Sequence, residues 1–131
     1  MVNMPSRKAG PKQRLLIVGT HGKKDAQKAS MTFMCANTAS AVGIEVTLFL
    51  MDEGVELAQR KGLETMPLVE GVESILALRR ALLESGGRIL VCIPCMEVRH
   101  IGKEQFIADA GFVNLMDFTD ELMKSDKVLN C

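Results

Sequence analysis

The chain of 131 residues has no tryptophan, no tyrosine and only five phenylalanines. Aromatic rings are the surfaces on which the bases of single-stranded nucleic acids stack, so a stacking platform is excluded. The formal net charge is zero, and the basic excess needed to bind a phosphate backbone is absent as well. We therefore expect no nucleic acid among the partners of this protein.

The N-terminal stretch also has no apolar run as long as a membrane span or a signal peptide core. The first 14 residues contain four basic residues and no acid, which leaves 12 basic and 16 acidic residues in the remainder. We expect a disordered basic tail at residues 1–13, a single domain at residues 14–131, a cytoplasmic location and no membrane partner.

The chain has four cysteines, and a reducing compartment favours free thiols over structural disulfides. Cys35 lies among apolar residues at helical spacing, which predicts a packing role. Cys131 is the last residue of the sequence, so we expect it to be either frayed or reactive. The remaining two thiols, Cys92 and Cys95, form a C-x-x-C motif and are the candidates for a reactive role.

Apolar runs alternate with helical patterns along the chain. Strands are predicted at residues 15–18, 44–51, 89–93, 112–116 and 128–130. Helices are predicted at residues 25–43, through Leu57 and Ala58, at 75–83, after Pro94, near Phe106 and at 117–124. This alternation predicts the α/β class, with a five-stranded, mainly parallel sheet in a three-layer α/β/α arrangement.

Ligands of such sheets bind outside the carboxyl ends of the strands. The residues that the predicted topology brings to this edge are His21, Asp52, Glu53, Cys92 and Cys95. His21 could tune a thiol or donate a proton, or it could simply be solvated. Asp52 and Glu53 could contribute to the site or only cap the helix that follows them.

The C-x-x-C motif lies where a strand runs into a helix. Open N–H groups and the helix dipole at such a junction lower the pKa of a thiol from about 8.5 to between roughly 3.5 and 7.5. Pro94 favours the first helical position, and Arg99 follows Cys95 at a spacing of four residues. We therefore expect Cys92 to be ionised and reachable, with Cys95 and Arg99 beside it around an anion.

Other interpretations of these residues stay open. The cysteines could only pack, in a non-catalytic assembly module, or they could cycle between dithiol and disulfide in a redox protein. A zinc site would have to recruit His21, His100 or Cys131 from elsewhere, so we expect no metal and no cofactor. The loop 19–24 does not meet the spacing of a phosphate-binding Walker loop.

The chain resembles the DsrE/DsrF-like family, which includes TusD-type sulfur-relay subunits, over nearly all of residues 14–131. The resemblance rests on features in a fixed order. These are a first strand that ends in a short polar loop, the alanine-rich helix 26–43 followed by Ile-Glu-Val-Thr-Leu-Phe-Leu, the turn 52–54, and Cys92 seven residues before Arg99.

The resemblance implies that Cys92 is the reactive cysteine and that Cys95 is a second cysteine found in some members. It also implies a five-stranded parallel sheet with the last strand beside the first. Homo-trimers or homo-hexamers would form through apolar surface, for which the loop 63–69 is a candidate. Many members have Arg-Gly where this chain has Arg99-His100, so His100 could enter the pocket.

From this resemblance and the C-x-x-C motif, we expect the protein to be a sulfur carrier or sulfurtransferase. Cys92 would accept sulfane sulfur as a persulfide or thiosulfonate and pass it to a cysteine of a partner. Cys95 would be the second acceptor or the resolving thiol, and Arg99 would hold the anionic cargo. By resemblance, the partners would be a TusA-like sulfur carrier protein and a rhodanese-type donor.

Overall fold

A five-stranded, all-parallel sheet forms the centre of the computed structural model, which describes residues 12–131. The strand order is β4-β3-β2-β1-β5, with the last strand beside the first. The strands are β1 (Arg14–Gly19), β2 (Glu45–Leu50), β3 (Arg88–Cys92), β4 (Ala110–Val113) and β5 (Lys127–Asn130). All but the last two residues of the predicted basic tail lie outside the described residues.

Helices cover both faces of the sheet, which confirms the three-layer α/β/α prediction. The helices are α1 (Ala26–Ala41), α2 (Ile75–Glu84), α3 (Ile93–Val98) and α4 (Leu115–Lys124). Helices α1 and α2 lie side by side, and the amide of Asn37 donates to the carbonyl oxygen of Leu78 at 3.1 Å. On the opposite face, the ring of Phe118 in α4 stacks on Phe49 of β2, with 4.1 Å between ring centroids.

The inner strands are buried on both faces, as expected for a sheet covered by helices on each side. Leu48 and Phe49 are neighbours on β2, point to opposite faces and have no exposed surface. The periphery is more open, because all four residues of β5 are exposed and no residue of α4 is fully buried. Within residues 12–131, none of the helices combines the length and the apolar character needed to cross a membrane.

Three predicted elements differ from the structure. The predicted helix through Leu57 and the one near Phe106 are 3₁₀ helices, at Asp52–Ala58 and Lys103–Gln105. The strand predicted at 112–116 ends at Val113, because the Asn114 side chain accepts a 2.8 Å hydrogen bond from the Asp117 N–H and caps α4 there. In the apolar loop 63–69, Leu63 starts a short 3₁₀ helix and belongs to the core.

Candidate functional site

The carboxyl edge of the sheet is built from the segments that follow β1, β2 and β3. The Met51 N–H donates to the carbonyl oxygen of Gly19 at 3.0 Å, which ties the start of the 3₁₀ helix Asp52–Ala58 to the end of β1. Gly54 lies so close to Gly19 that a Cβ there would overlap the Gly19 carbonyl. This helix also contacts β3 and α3, so it closes over the strand end that carries the cysteines.

Cys92 is the last residue of β3 and is completely buried. Burial raises the pKa of its thiol to about 11, and hydrogen bonding to the Cys95 thiol and the charge of Asp52 add to the rise. The Cys95 backbone N–H acts in the opposite direction and is outweighed. The expectation of an ionised, solvent-reachable thiol at residue 92 is therefore wrong for this conformation, because desolvation exceeds the effect of the helix start.

Cys95 lies in the first turn of α3 and is only partly buried, so it is the thiol of the pair that solvent reaches. Pro94 occupies the second position of the helix, one residue later than predicted, because α3 begins at Ile93. The structure thus pairs a partly buried thiol with a completely buried one. The two thiols lie close enough for Cys95 to contribute to the raised pKa of Cys92.

The acidic residues of the edge have different environments. Asp52 is exposed with a left-handed φ of 51°, close enough to raise the pKa of Cys92 by its charge. Glu53 is half-buried and pairs with the exposed Lys24, at 3.8 Å between Nζ and Oε1. Neither carboxylate caps the 3₁₀ helix through its side chain, because the capping position is Met51.

The basic residues predicted for the site, Arg99, His100 and His21, make fewer contacts with the two thiols than expected. Arg99 is half-buried at the end of α3, and its Nη1 donates to the carbonyl oxygen of Cys95 at 3.1 Å. His100 is exposed, with a left-handed φ of 55°, and His21 is half-buried in the loop after β1. Among the hydrogen bonds and ion pairs of residues 12–131, none joins either imidazole to a thiol.

The other two cysteines also lie together, which the sequence reasoning missed. The Cys131 backbone N–H donates to the carbonyl oxygen of Val18 at 2.8 Å, so the residue is anchored and not frayed. Its thiol lies close enough to the Cys35 thiol for Cys35 to contribute to the raised pKa of Cys131, after burial. In the part of the chain that the structure describes, no three His, Cys, Asp or Glu side chains are grouped so that they could hold a metal ion.

Comparisons with known proteins agree with this architecture. The model of the DsrE/DsrF-like family matches residues 13–131. The protein MJ0989 of Methanocaldococcus jannaschii is 28% identical over 116 residues, which cover 88% of this chain and 97% of that protein. The protein MK0008 of Methanopyrus kandleri is 29% identical over 103 residues, covering 79% of this chain and 81% of that protein.

Solved structures show the same fold. The crystal structure of the YchN protein of E. coli superposes with a TM-score of 0.77, at 20% identity, over 91% of this chain and 99% of that one. The structure of MTH1491 of Methanobacterium thermoautotrophicum has a TM-score of 0.70, at 8% identity, over 92% of this chain and all of that one. At such identities, these two structures bear on the fold alone.

Proposed function

Because the chain belongs to the DsrE/DsrF-like family, we propose that it carries sulfane sulfur on the Cys92–Cys95 pair and passes it to a cysteine of a partner protein. Family membership points to sulfur relay in general terms. The observation that supports the specific proposal is the pair itself, in which a half-buried thiol lies against a completely buried one at the carboxyl edge of the sheet. That edge is where ligands of parallel α/β sheets bind.

Sulfur enters at Cys95, because a donor reaches this thiol first. The Cys95 thiolate attacks the terminal sulfur of a persulfide donor, R–S–SH, and the S–S bond of the donor breaks. The products are Cys95–S–SH and R–SH, the leaving thiolate having taken up a proton. With tetrathionate as donor, the same attack leaves a thiosulfonate group on Cys95 and releases thiosulfate.

Cys92 then holds the sulfur away from water. Its thiolate attacks the terminal sulfur of Cys95–S–SH, and the proton that Cys92 gives up passes to the leaving Cys95 thiolate, so that Cys92–S–SH and the Cys95 thiol form, with one S–S bond broken and one formed. This step needs the contact between the two sulfur atoms that the pair provides. The reverse step returns the sulfur to Cys95, and the thiolate of the partner takes it from there.

Arg99 is the residue we assign to the anionic part of a donor. Its guanidinium lies at the backbone of Cys95, where Nη1 is bound to the carbonyl oxygen, and the other N–H groups of the guanidinium have the fork geometry that suits sulfonate and carboxylate oxygens. His21, in the loop after β1, and His100, just beyond α3, are the candidate proton donors. Burial, with a smaller contribution from the charge of Asp52, disfavours a lasting negative charge on Cys92 and keeps the resting thiol protonated.

By resemblance, the acceptor is a TusA-like sulfur carrier protein, the donor is of the rhodanese type, and the chain assembles into homo-trimers or homo-hexamers. The apolar surface available for assembly is larger on α4 and β5 than on the loop 63–69. Exposed apolar side chains of α4 and β5 are Leu115, Met116, Met123, Val128 and Leu129, whereas the loop exposes Leu68. We therefore assign the contact between copies to α4 and β5.

A second candidate function is thiol–disulfide exchange, which the contact between the Cys92 and Cys95 thiols also favours. In that case, Cys92 attacks the inner sulfur of Cys95–S–SH, a Cys92–Cys95 disulfide forms and hydrogen sulfide leaves. The two functions predict different changes in the mass of the protein. Sulfur carriage adds about 32 Da as a persulfide or about 112 Da as a thiosulfonate, whereas a disulfide removes about 2 Da.

The loading experiment treats the full chain with polysulfide or tetrathionate and measures its intact mass. We expect an adduct on the wild type and none on Cys95→Ser. The Cys92→Ser variant still loads at Cys95, but cyanide removes its sulfur several times faster, because the persulfide cannot move into the buried position. Cys35→Ser and Cys131→Ser are the controls that load normally; loss of about 2 Da from the peptide 89–99 without any adduct would replace sulfur carriage with the redox alternative.

A further inference from the structure

Cys131 has a fixed place beside the end of β1. The β1–β5 register pairs Val18 with Asn130, so residue 131 lies next to Gly19. Its N–H donates to the Val18 carbonyl oxygen at 2.8 Å, and its own carbonyl oxygen accepts from the N–H and the hydroxyl of Thr20, both at 3.2 Å. Three hydrogen bonds thus hold the backbone that carries this thiol.

The Cys131 side chain points toward α1. Gly19 faces α1, because a Cβ on it would lie 3.0 Å from the Thr32 methyl group, and residue 131 faces the same way. Thr32 and Cys35 are three residues apart and share one face of α1. Both side chains lie close enough to the Cys131 thiol to act on its pKa, which Cys35 raises and Thr32 lowers, and both cysteines pack partly buried against the core.

We propose that Cys35 and Cys131 form a redox site, at which a hydroperoxide or a small disulfide joins them in a reversible disulfide between α1 and the end of β5. With a hydroperoxide, R–OOH, one thiolate attacks oxygen and the O–O bond breaks to give a sulfenic acid and R–OH. The second thiol attacks this sulfur, the S–O bond breaks, the S–S bond forms and water leaves. Two thiols are oxidised and one peroxide is reduced.

This site is separate from the Cys92–Cys95 pair. Cys92 shares a face of β3 with Leu90, which pairs with Phe49, and the Phe49 ring contacts α4. Cys131 faces α1 on the other side of the sheet. Three strand spacings separate β3 from β5, which amounts to about 14 Å. A disulfide between the two sites is therefore excluded in the folded chain, because its Cα atoms have to lie within about 7 Å.

The bond would stabilise the most open edge of the sheet. All four residues of β5 are exposed, and the strand is held through its pairing with β1 and the backbone of residue 131. A disulfide from Cys131 to Cys35 closes a loop of nearly the whole domain, which removes much freedom from the unfolded chain. We expect the oxidised form to melt about 5 °C or more above the reduced form.

The test uses the Cys92→Ser/Cys95→Ser double variant, in which only Cys35 and Cys131 remain. Incubation of the folded protein with oxidised glutathione or hydrogen peroxide is expected to remove about 2 Da, and dithiothreitol is expected to restore the mass. Trypsin cleavage of the oxidised form without reductant should give residues 29–60 linked to residues 128–131. The wild-type chain, mapped in the same way, gives the answer should the double variant fail to fold.

Two controls show whether the disulfide forms because the folded chain brings Cys35 and Cys131 together. Addition of Cys35→Ser should leave no loss of 2 Da, and oxidation in guanidinium chloride should be at least tenfold slower, because the unfolded chain has to close a long loop. An unchanged mass, a disulfide between two chains, glutathione adducts without the internal bond, or equal rates folded and unfolded would each overturn the proposal.

Discussion

At the scale of single residues, the burial of Cys92 protects the stored sulfur of the proposed carrier but also makes the thiol less reactive. A thiol with no exposed surface is protected from oxidants and from stray electrophiles, but its raised pKa makes it a poor nucleophile at neutral pH. Cys95 is only partly buried, so a donor meets this thiol before it meets Cys92. The division into a reachable thiol and a storing thiol follows from this difference in burial.

The raised pKa of Cys92 makes stability depend on pH. The fold favours the protonated thiol, so this contribution is fully present below the pKa of an unfolded cysteine, near 9, and is lost as the pH rises toward about 11. The difference in unfolding free energy between the wild type and Cys92→Ala should therefore shrink between about pH 9 and pH 11. Urea denaturation across this range measures it, and a difference independent of pH would contradict the assigned burial.

At the scale of elements, the 3₁₀ helix Asp52–Ala58 closes the site, and Gly54 lets it approach β1. An alanine at residue 54 would place its Cβ against the Gly19 carbonyl, so we expect a loss of about 2 kcal/mol of unfolding free energy or more. Gly102→Ala is the matched control, because there only the carboxylate end of the exposed Glu104 has to move. Thermal melting of both variants measures the effect, and equal melting temperatures would contradict it.

Hydrogen bonds from α2 also hold the end of the same 3₁₀ helix in place. Arg79 is buried, which lowers its pKa, and its Nη1 donates to the carbonyl oxygens of Leu57 at 2.9 Å and Gln59 at 2.8 Å. Arg79→Leu leaves both carbonyls without this partner and should cost about 2 kcal/mol or more, whereas Arg80→Leu on the exposed side should cost little. Chemical denaturation of the two variants gives the comparison, and similar losses would show that the two hydrogen bonds contribute nothing.

The sequence could predict the features that depend on neighbouring residues, but not all of those that depend on contacts between distant segments. Apolar runs and caps are local, so the strands and the Asp25 cap of α1, whose side chain accepts from the Lys28 N–H at 3.0 Å, were predictable. The depth of Cys92 was not, because it depends on a 3₁₀ helix some 40 residues earlier that packs over the strand end. The Cys35–Cys131 contact was within reach, since the implied position of the last strand beside the first brings residue 131 to α1.

At the scale of the whole molecule, the exposed apolar residues are unevenly distributed. No residue of α4 is fully buried and all of β5 is exposed, although both elements carry large apolar side chains. Isolated exposed apolar residues are common, but a group of five on adjacent elements is typical of an interface. This distribution is our reason to assign assembly to α4 and β5.

Light scattering after size exclusion tests the assembly. We expect a trimer or hexamer for the wild type and a monomer for Met116→Asp/Met123→Asp, because both methionines are about four-fifths exposed in the single chain and each charge would be buried on assembly. Leu68→Asp, at a similarly exposed residue outside the assigned surface, should leave the oligomer intact. A monomeric wild type, or dissociation caused by Leu68→Asp alone, would contradict the assignment.

The most direct test of sulfur carriage locates the transferred atom. After loading with ³⁴S-labelled polysulfide, trypsin releases residues 89–99, which contain both Cys92 and Cys95, apart from the peptides that carry Cys35 and Cys131. We predict that the label lies on residues 89–99, that fragmentation places it on both Cys92 and Cys95, and that the protein delivers it to the thiol of an added acceptor. Label confined to the Cys35 or Cys131 peptides, or no label on any peptide, would contradict the account.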